Sequence, residues 1–268
     1  MDECNHNCAS CSEKCESKSF IEPGNKDSRI KKIVGVISGK GGVGKSLTTS
    51  LLGVCANRNG LKTAILDADI TGPSIPAAFG IHEKATGTNE ILFPAKTKNG
   101  IEVMSLNLLL ENETDPVVWR GPIVAGIIKQ FWNEVYWGDL DVMFIDMPPG
   151  TGDVPLTVFQ SIPLDGVVVV STPQQLVEMI VEKAVNMAGL MNIPVLALVE
   201  NMSYIKCPDC GKLMYPYGCS SADYLTNKFN IPKKIQIPID LSVSEYCDKG
   251  IIEDFNAEWL EDLNKLLQ

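Results

Sequence analysis

Apolar residues along this chain fall into short dense blocks, separated by stretches where they recur every three or four positions. The blocks at 33–38, 62–67, 141–146, 166–171, 194–200 and 234–239 read as strands. Their near-continuous Val, Ile and Leu content is that of strands covered on both faces. The stretches between them predict helices over 45–58, 122–136, 154–161, 175–191, 221–229, 241–248 and 255–267. This alternation points to an α/β fold with a mostly parallel sheet flanked by helices on both faces. Residues 91–106 interrupt it and read as a hairpin turning at Lys98-Asn99-Gly100. The last predicted helix sets Phe255, Trp259, Leu260, Leu263, Leu266 and Leu267 on one face. The other face holds Asp254, Glu258, Glu261 and Asp262 against Lys265, the wrong charge for a lipid surface, so this helix is expected to pack on the domain. Residues 1–28 stand apart as a polar, cysteine-bearing tail and linker with too few apolar residues for a core. The folded domain is expected over 29–268.

The junction of the first strand and first helix carries Gly39-Lys40-Gly41-Gly42-Val43-Gly44-Lys45-Ser46. Gly39, Gly44, Lys45 and Ser46 fill every fixed place of the phosphate-loop pattern, in the strand–loop–helix setting it needs. Glycines let backbone N–H groups crowd a polyphosphate, and the helix N-terminus adds its positive end. Lys45 is then expected on the β/γ oxygens and the Ser46 hydroxyl on Mg²⁺. Lys40 is an extra lysine that cannot easily fold back onto its own loop's phosphates. It is better placed to reach a nucleotide on a facing subunit, which predicts a homodimer with ATP between the chains. Ligands of such sheets gather at the carboxyl ends of the strands. There Asp146 is the candidate Mg²⁺ carboxylate, and Gly150–Asp153 is the candidate switch. Asp67 and Asp69 end another strand. Some of these aspartates can instead be ordinary turn formers.

The chain has 268 residues, 45% of them hydrophobic, which suits one well-buried domain. Its net charge of −10 argues against nonspecific nucleic-acid binding, which depends on basic patches. No run approaches the ~18 apolar residues of a membrane span, and the N-terminus lacks the features of a signal peptide. A cytoplasmic location is therefore expected, with the nine cysteines reduced.

Six of those cysteines cluster. Cys4, Cys8, Cys11 and Cys15 are spaced C-x₃-C-x₂-C-x₃-C, close enough to wrap one compact centre, and an iron–sulfur cluster, zinc and an unliganded tail all remain open. Cys207 and Cys210 form a C-x-x-C loop. Two thiolates are half a ligand set, and a two-fold dimer supplies the other half. A shared 4Fe–4S cluster, a shared zinc and a redox dithiol all remain open for this pair. Cys219 is a further ligand or a buried small residue. Cys55 and Cys247, on predicted helices, read as small hydrophobes.

Taken together, loop 39–46, Asp67-Ala68-Asp69-Ile70-Thr71-Gly72-Pro73-Ser74, Trp119-Arg120-Gly121-Pro122, Asp146-Met147-Pro148-Pro149-Gly150-Thr151-Gly152-Asp153 and Glu200-Asn201-Met202-Ser203 through Cys210 resemble the Mrp-type branch of the MinD/ParA P-loop ATPases over residues 30–255. That resemblance implies an ATP-hydrolysing carrier or scaffold that holds a 4Fe–4S cluster across a dimer and passes it to apo iron–sulfur proteins. It implies that Asp69 positions the attacking water, with Asp67 nearer the Mg²⁺ shell. It further implies that Asn201 reads adenine while Ile237-Pro238-Ile239-Asp240 closes over the base, so that Pro238 and Asp240 join the ATP site. The four-cysteine tail resembles that of eukaryotic cytosolic scaffold members of the branch. The rivals are a positioning or partitioning ATPase with structural zinc and an electron-passing iron–sulfur ATPase.

Overall fold

A computed structural model of the chain describes residues 21–69, 74–88, 91–110, 121–174, 178–218, 220 and 222–267. The strands are β1 (Arg29–Ile30), β2 (Ile33–Ser38), β3 (Thr63–Asp67), β4 (Thr86–Gly87), β5 (Leu92–Phe93), β6 (Ala95–Lys96), β7 (Glu102–Ser105), β8 (Asp139–Leu140), β9 (Val142–Asp146), β10 (Gly166–Ser171), β11 (Val195–Glu200), β12 (Ile205–Lys206), β13 (Leu213–Met214) and β14 (Lys234–Gln236). The helices are α1 (Lys45–Arg58), α2 (Ile75–Ala78), α3 (Gly121–Asn133), α4 (Asp153–Ser161), α5 (Glu178–Leu190), α6 (Ala222–Phe229), α7 (Leu241–Asp248) and α8 (Leu260–Asn264). The main sheet runs β14-β11-β10-β2-β9-β3-β7-β6, with β6 antiparallel to β7 and the other pairings parallel.

Successive side chains on a strand point to opposite faces, and here both faces are apolar. Val34, Val36, Phe144, Val168 and Val170 share one core with Leu51 and Leu52 of α1 and the C-terminal Phe255 and Leu263. Ile33, Ile37, Ile145 and Val169 share the other with Phe131, Trp132, Val158, Val181 and Leu225 of α3–α6. This two-sided burial explains why the strands read as apolar blocks, and β2 and β10 keep the expected bounds. The hairpin turns where expected, with Thr97 N donating to Ile101 O at 2.9 Å around Gly100.

Three segments depart from the sequence reading. The helix expected over 255–267 is helical only at Leu260–Asn264. The Arg58 guanidinium donates to the carbonyls of Glu253 and Phe255, at 2.7 and 2.6 Å, and ties down the chain just ahead of that short helix. Phe255 instead stacks edge-on with Tyr246. Leu260 and Leu263 are still buried beside α1, so the segment packs on the domain as expected. The strand expected over 234–239 stops at Gln236, after which Ile237 and Ile239 hydrogen-bond to the 200–204 turn. Finally, the stretch read as linker is fastened from Glu22 onward. Glu22 N donates to Ser161 O at 2.9 Å, the Trp132 indole donates to Glu22 O at 3.1 Å, and β1 pairs with β8. No helix among the described residues is long and apolar enough to cross a membrane.

Candidate nucleotide site and cysteine hairpin

Between β2 and α1 the chain makes the expected loop. Gly42 and Gly44 hold φ of 77° and 84°, a left-handed backbone that favours glycine. Crowding adds to the demand: a Cβ on Gly44 would come within 2.1 Å of Asn201 Nδ2, and one on Gly39 within 2.3 Å of Ile180 in α5. Lys40, Gly41, Gly42, Gly44, Lys45, Ser46 and Asp69 line a cavity of about 310 Å³ over this loop. Val43 is buried behind it.

Lys45, 6% exposed, lies 2.8 Å from Asp146 Oδ2 and 3.6 Å from Asp69 Oδ2. Asp146 also accepts from Ser46 Oγ at 2.6 Å and Thr49 Oγ1 at 2.7 Å. Parallel pairing of β3 with β9 puts Asp67 opposite Asp146. Burial first, and then the Asp146 charge, push the Asp67 carboxyl well above the usual carboxylate range. Lys45, the Ser105 hydroxyl and the Asp69 N–H oppose that shift. A buried carboxyl raised by burial and by a neighbouring buried carboxylate, beside a serine hydroxyl, belongs to a donor set that fits a divalent cation. Ser46, Asp67 and Asp146 are thus brought together, with Asp69 at the cavity wall.

The remaining sequence candidates are placed less simply. Lys40 Nζ donates to Gln174 Oε1 of its own chain at 2.7 Å, a resting contact that no motif announces. Asn201, 3% exposed, lies beneath the loop and donates from Nδ2 to Val43 O at 2.9 Å, which makes it a brace for the loop. Asp240 caps α7 through Ser242 N at 3.0 Å and accepts from the Trp259 indole at 3.1 Å. Pro238 and Asp240 line a separate cavity of about 620 Å³ with Tyr204, Pro208 and Trp259. Residues 70–73 and 111–120, with Trp119 and Arg120, lie outside the described residues, as do Cys219 and the tail cysteines Cys4, Cys8, Cys11 and Cys15.

Cys207 and Cys210 occupy the turn of the antiparallel β12–β13 hairpin. Gly211 N closes back to Cys207 O, and Cys207 N donates to Lys212 O, both at 2.9 Å. Gly211 takes φ of 70°. Cys210 is exposed and Cys207 partly so. The backbone N–H of Cys210, then that of Asp209 and the Cys210 thiol, hold the Cys207 thiol below its usual pKa. No helix was needed for this; the turn's own amides do it, and from sequence they were not visible. Leu213, Met214, Tyr215 and Tyr217, which follow the pair along the chain, are all exposed. Cys55 is 2% exposed, as a small hydrophobe should be, but Cys247 lines an open cleft with His82 and Ser46.

A phosphate loop and a bare thiol pair on one domain match a known combination. The family model described as ParA: NUBPL iron-transfer P-loop NTPase matches residues 29–267. The chain belongs to this family. Iron–sulfur cluster carrier proteins of Clostridium perfringens and Methanocaldococcus jannaschii are 44% and 40% identical to it. Those alignments cover 94% of this chain in both cases, and 95% and 90% of the relatives. A nucleotide-binding protein from Archaeoglobus fulgidus, solved with ADP and found to hold Co, superposes with a TM-score of 0.78 at 44% identity. It covers 87% of this chain and 91% of its own. The cell division ATPase MinD of Pyrococcus furiosus, 18% identical with a TM-score of 0.59 over 88% of this chain and 96% of its own, shares the fold. This is the MinD/ParA-like P-loop fold, and the iron–sulfur carrier NTPases are built on it.

Proposed function

We propose that this protein is a cytoplasmic ATPase that carries a 4Fe–4S cluster across a homodimer and delivers it to apo iron–sulfur proteins. The observation that carries the reading is the Cys207–Cys210 turn: two solvent-reached thiols, one already biased toward thiolate, at the tip of a hairpin on a phosphate-loop domain. Among the described residues no third His, Cys, Asp or Glu completes a metal-binding group. A partner's identical hairpin supplies the second pair of thiolates. The exposed Leu213, Met214, Tyr215 and Tyr217 give that pairing an apolar rim.

In the nucleotide site Lys45 bridges Asp146 and Asp69, and arrival of the triphosphate transfers that ammonium to phosphate oxygens. Ser46, Asp146 and Asp67 would hold Mg²⁺, which would supply positive charge against the phosphates. Asp69 orients water, and Lys40 leaves Gln174 for the partner's nucleotide. By the family resemblance Pro238 and Asp240 would close over the base, and for that the segment must move from the separate cavity that it lines here. The tail cysteines Cys4, Cys8, Cys11 and Cys15 hold a second centre.

Oxygen-free purification tests this. The expected product is a brown dimer absorbing near ~400 nm, with the bridging share of that absorbance lost in Cys207→Ala. A colourless protein carrying zinc at Cys207 and Cys210 would overturn the carrier reading in favour of a structural knuckle.

A further inference from the structure

We infer that Glu200 is the positioning residue through which the phosphate loop and the cysteine hairpin sense one another; this rests on the carrier reading above and deepens it. Glu200 ends β11 at 1% exposure. Its Oε1 accepts from the Ser220 hydroxyl at 2.8 Å. Its Oε2 accepts from the Ser203 hydroxyl and, at 3.0 Å, from Gln236 Nε2. Gln236 Nε2 also reaches Ser203 Oγ at 3.0 Å. Ser203 precedes the hairpin and Ser220 follows it. One buried carboxylate therefore holds both roots of the excursion that carries Cys207 and Cys210.

The next residue holds the other site. Asn201 Nδ2 donates to Val43 O at 2.9 Å and lies against Gly44, so it touches the loop where phosphate would bind. Little slack separates these two grips. Asn201 N donates to Ser171 O at 2.8 Å, and Met202 turns through a left-handed φ of 57°. Ser203 N donates to Ile237 O and Ile237 N to Glu200 O, both at 2.9 Å, while Ile239 N donates to Tyr204 O at 2.7 Å. A movement of the Val43 carbonyl must break the Asn201 bond or rotate the 200–204 turn. Rotation carries Ser203 with it, and the buried carboxylate cannot release Ser203 without losing a partner it has no water to replace. The spacing of the two hairpin roots, and with it the aim of the thiols, thus follows the loop.

Cobalt(II) is the probe, read by its thiolate absorption in the oxygen-free full chain, with the Cys207→Ala signal subtracted as the share of other thiols. Titrations are run without nucleotide and with Mg²⁺ plus a non-hydrolysable ATP analogue. In the parent, the analogue is expected to change cobalt affinity by about 5–150-fold, the usual size of a coupling between sites. Glu200→Gln keeps the shape but turns one acceptor oxygen into a donor. It is expected to shrink that ratio to about twofold or less, and reciprocity demands the same loss in the cobalt effect on analogue affinity. A merely structural role would weaken both sites and leave the ratio untouched. Ser220→Ala, which removes the hydroxyl that donates to Glu200 and accepts from Ala222 N at the partly exposed root, should lower the ratio in the same direction and serves if Glu200→Gln fails to fold. Parent-like ratios in both variants overturn the inference and leave the carrier reading standing. A parent whose cobalt affinity ignores nucleotide overturns the inference as well. Cobalt binding that is indifferent to Cys207→Ala overturns the carrier reading itself.

Discussion

The two chemical ends of this domain are built in opposite ways. At the phosphate end, Lys45, Asp67, Asp69 and Asp146 are buried, and their contacts come from β3, β9 and α1. At the cysteine end, two strands of two residues each hold an exposed turn, and the side chains around it face solvent. A site that must neutralise concentrated negative charge gains from dipoles and cations fixed in advance. On the carrier reading proposed above, thiolates that another chain reaches gain from exposure, and a short hairpin with few buried contacts suits that use. What the hairpin lacks in packing it recovers at its roots, through the Glu200 carboxylate.

The hardest test of that contrast is Lys45→Ala. It strands Asp146, which is fully buried, without its cation. The nucleotide-free protein should lose about 3–5 kcal/mol of unfolding free energy, read from urea denaturation. A loss no larger than that of Cys207→Ala would erase the distinction between the two ends. A finer test compares two glycines with nearly the same φ. Alanine at either Gly42 or Gly44 bears about 1–2 kcal/mol for the left-handed backbone. Space is open around Gly42, whereas a Cβ at Gly44 runs into Asn201. Gly44→Ala should therefore cost about 1 kcal/mol more, the worth of the bond from Asn201 to Val43. Matching thermal midpoints for the two variants would mean that Asn201 braces nothing.

The smallest perturbation is chemical labelling. Burial lifts the Cys55 thiol to about 11, while turn amides lower that of Cys207. Since the thiolate is the nucleophile, a lowered pKa brings reaction forward to lower pH and a raised one delays it. Iodoacetamide labelling followed by peptide mass spectrometry should show Cys207 reacting near neutral pH. Cys55 in the folded protein should keep accelerating well into the alkaline range. Equal labelling of the two at neutral pH would contradict the burial argument.

The phosphate loop could be read from sequence because its backbone course demands glycine at fixed places, whatever surrounds it. The strands could be read because both faces are apolar, and with them the places of Asp67 and Asp146 at the ends of β3 and β9. Contacts that depend on distant segments meeting were out of reach. Gln174 beneath Lys40, Asn201 beneath Val43, and Ser203, Ser220 and Gln236 around Glu200 are ordinary polar residues until the chain folds. The C-terminal segment misled for a related reason. Its apolar spacing suits a helix over 255–267, but the chain is helical only at Leu260–Asn264, and Arg58, far away in sequence, holds the carbonyls of Glu253 and Phe255 ahead of it. Likewise, Glu22 to Ser28 looked like linker because its partners, Trp132, Trp137 and Ser161, belong to other elements.

Asp67 and Asp146 face each other only through the alignment of β3 with β9. A side chain changes faces with every residue along a strand, so inserting one neutral residue early in β3 would turn Asp67 away from its neighbour. The acidic pair could thus be dismantled without replacing any ionisable group. Where this molecule sets two buried carboxyl groups side by side is decided by how two ribbons are laid.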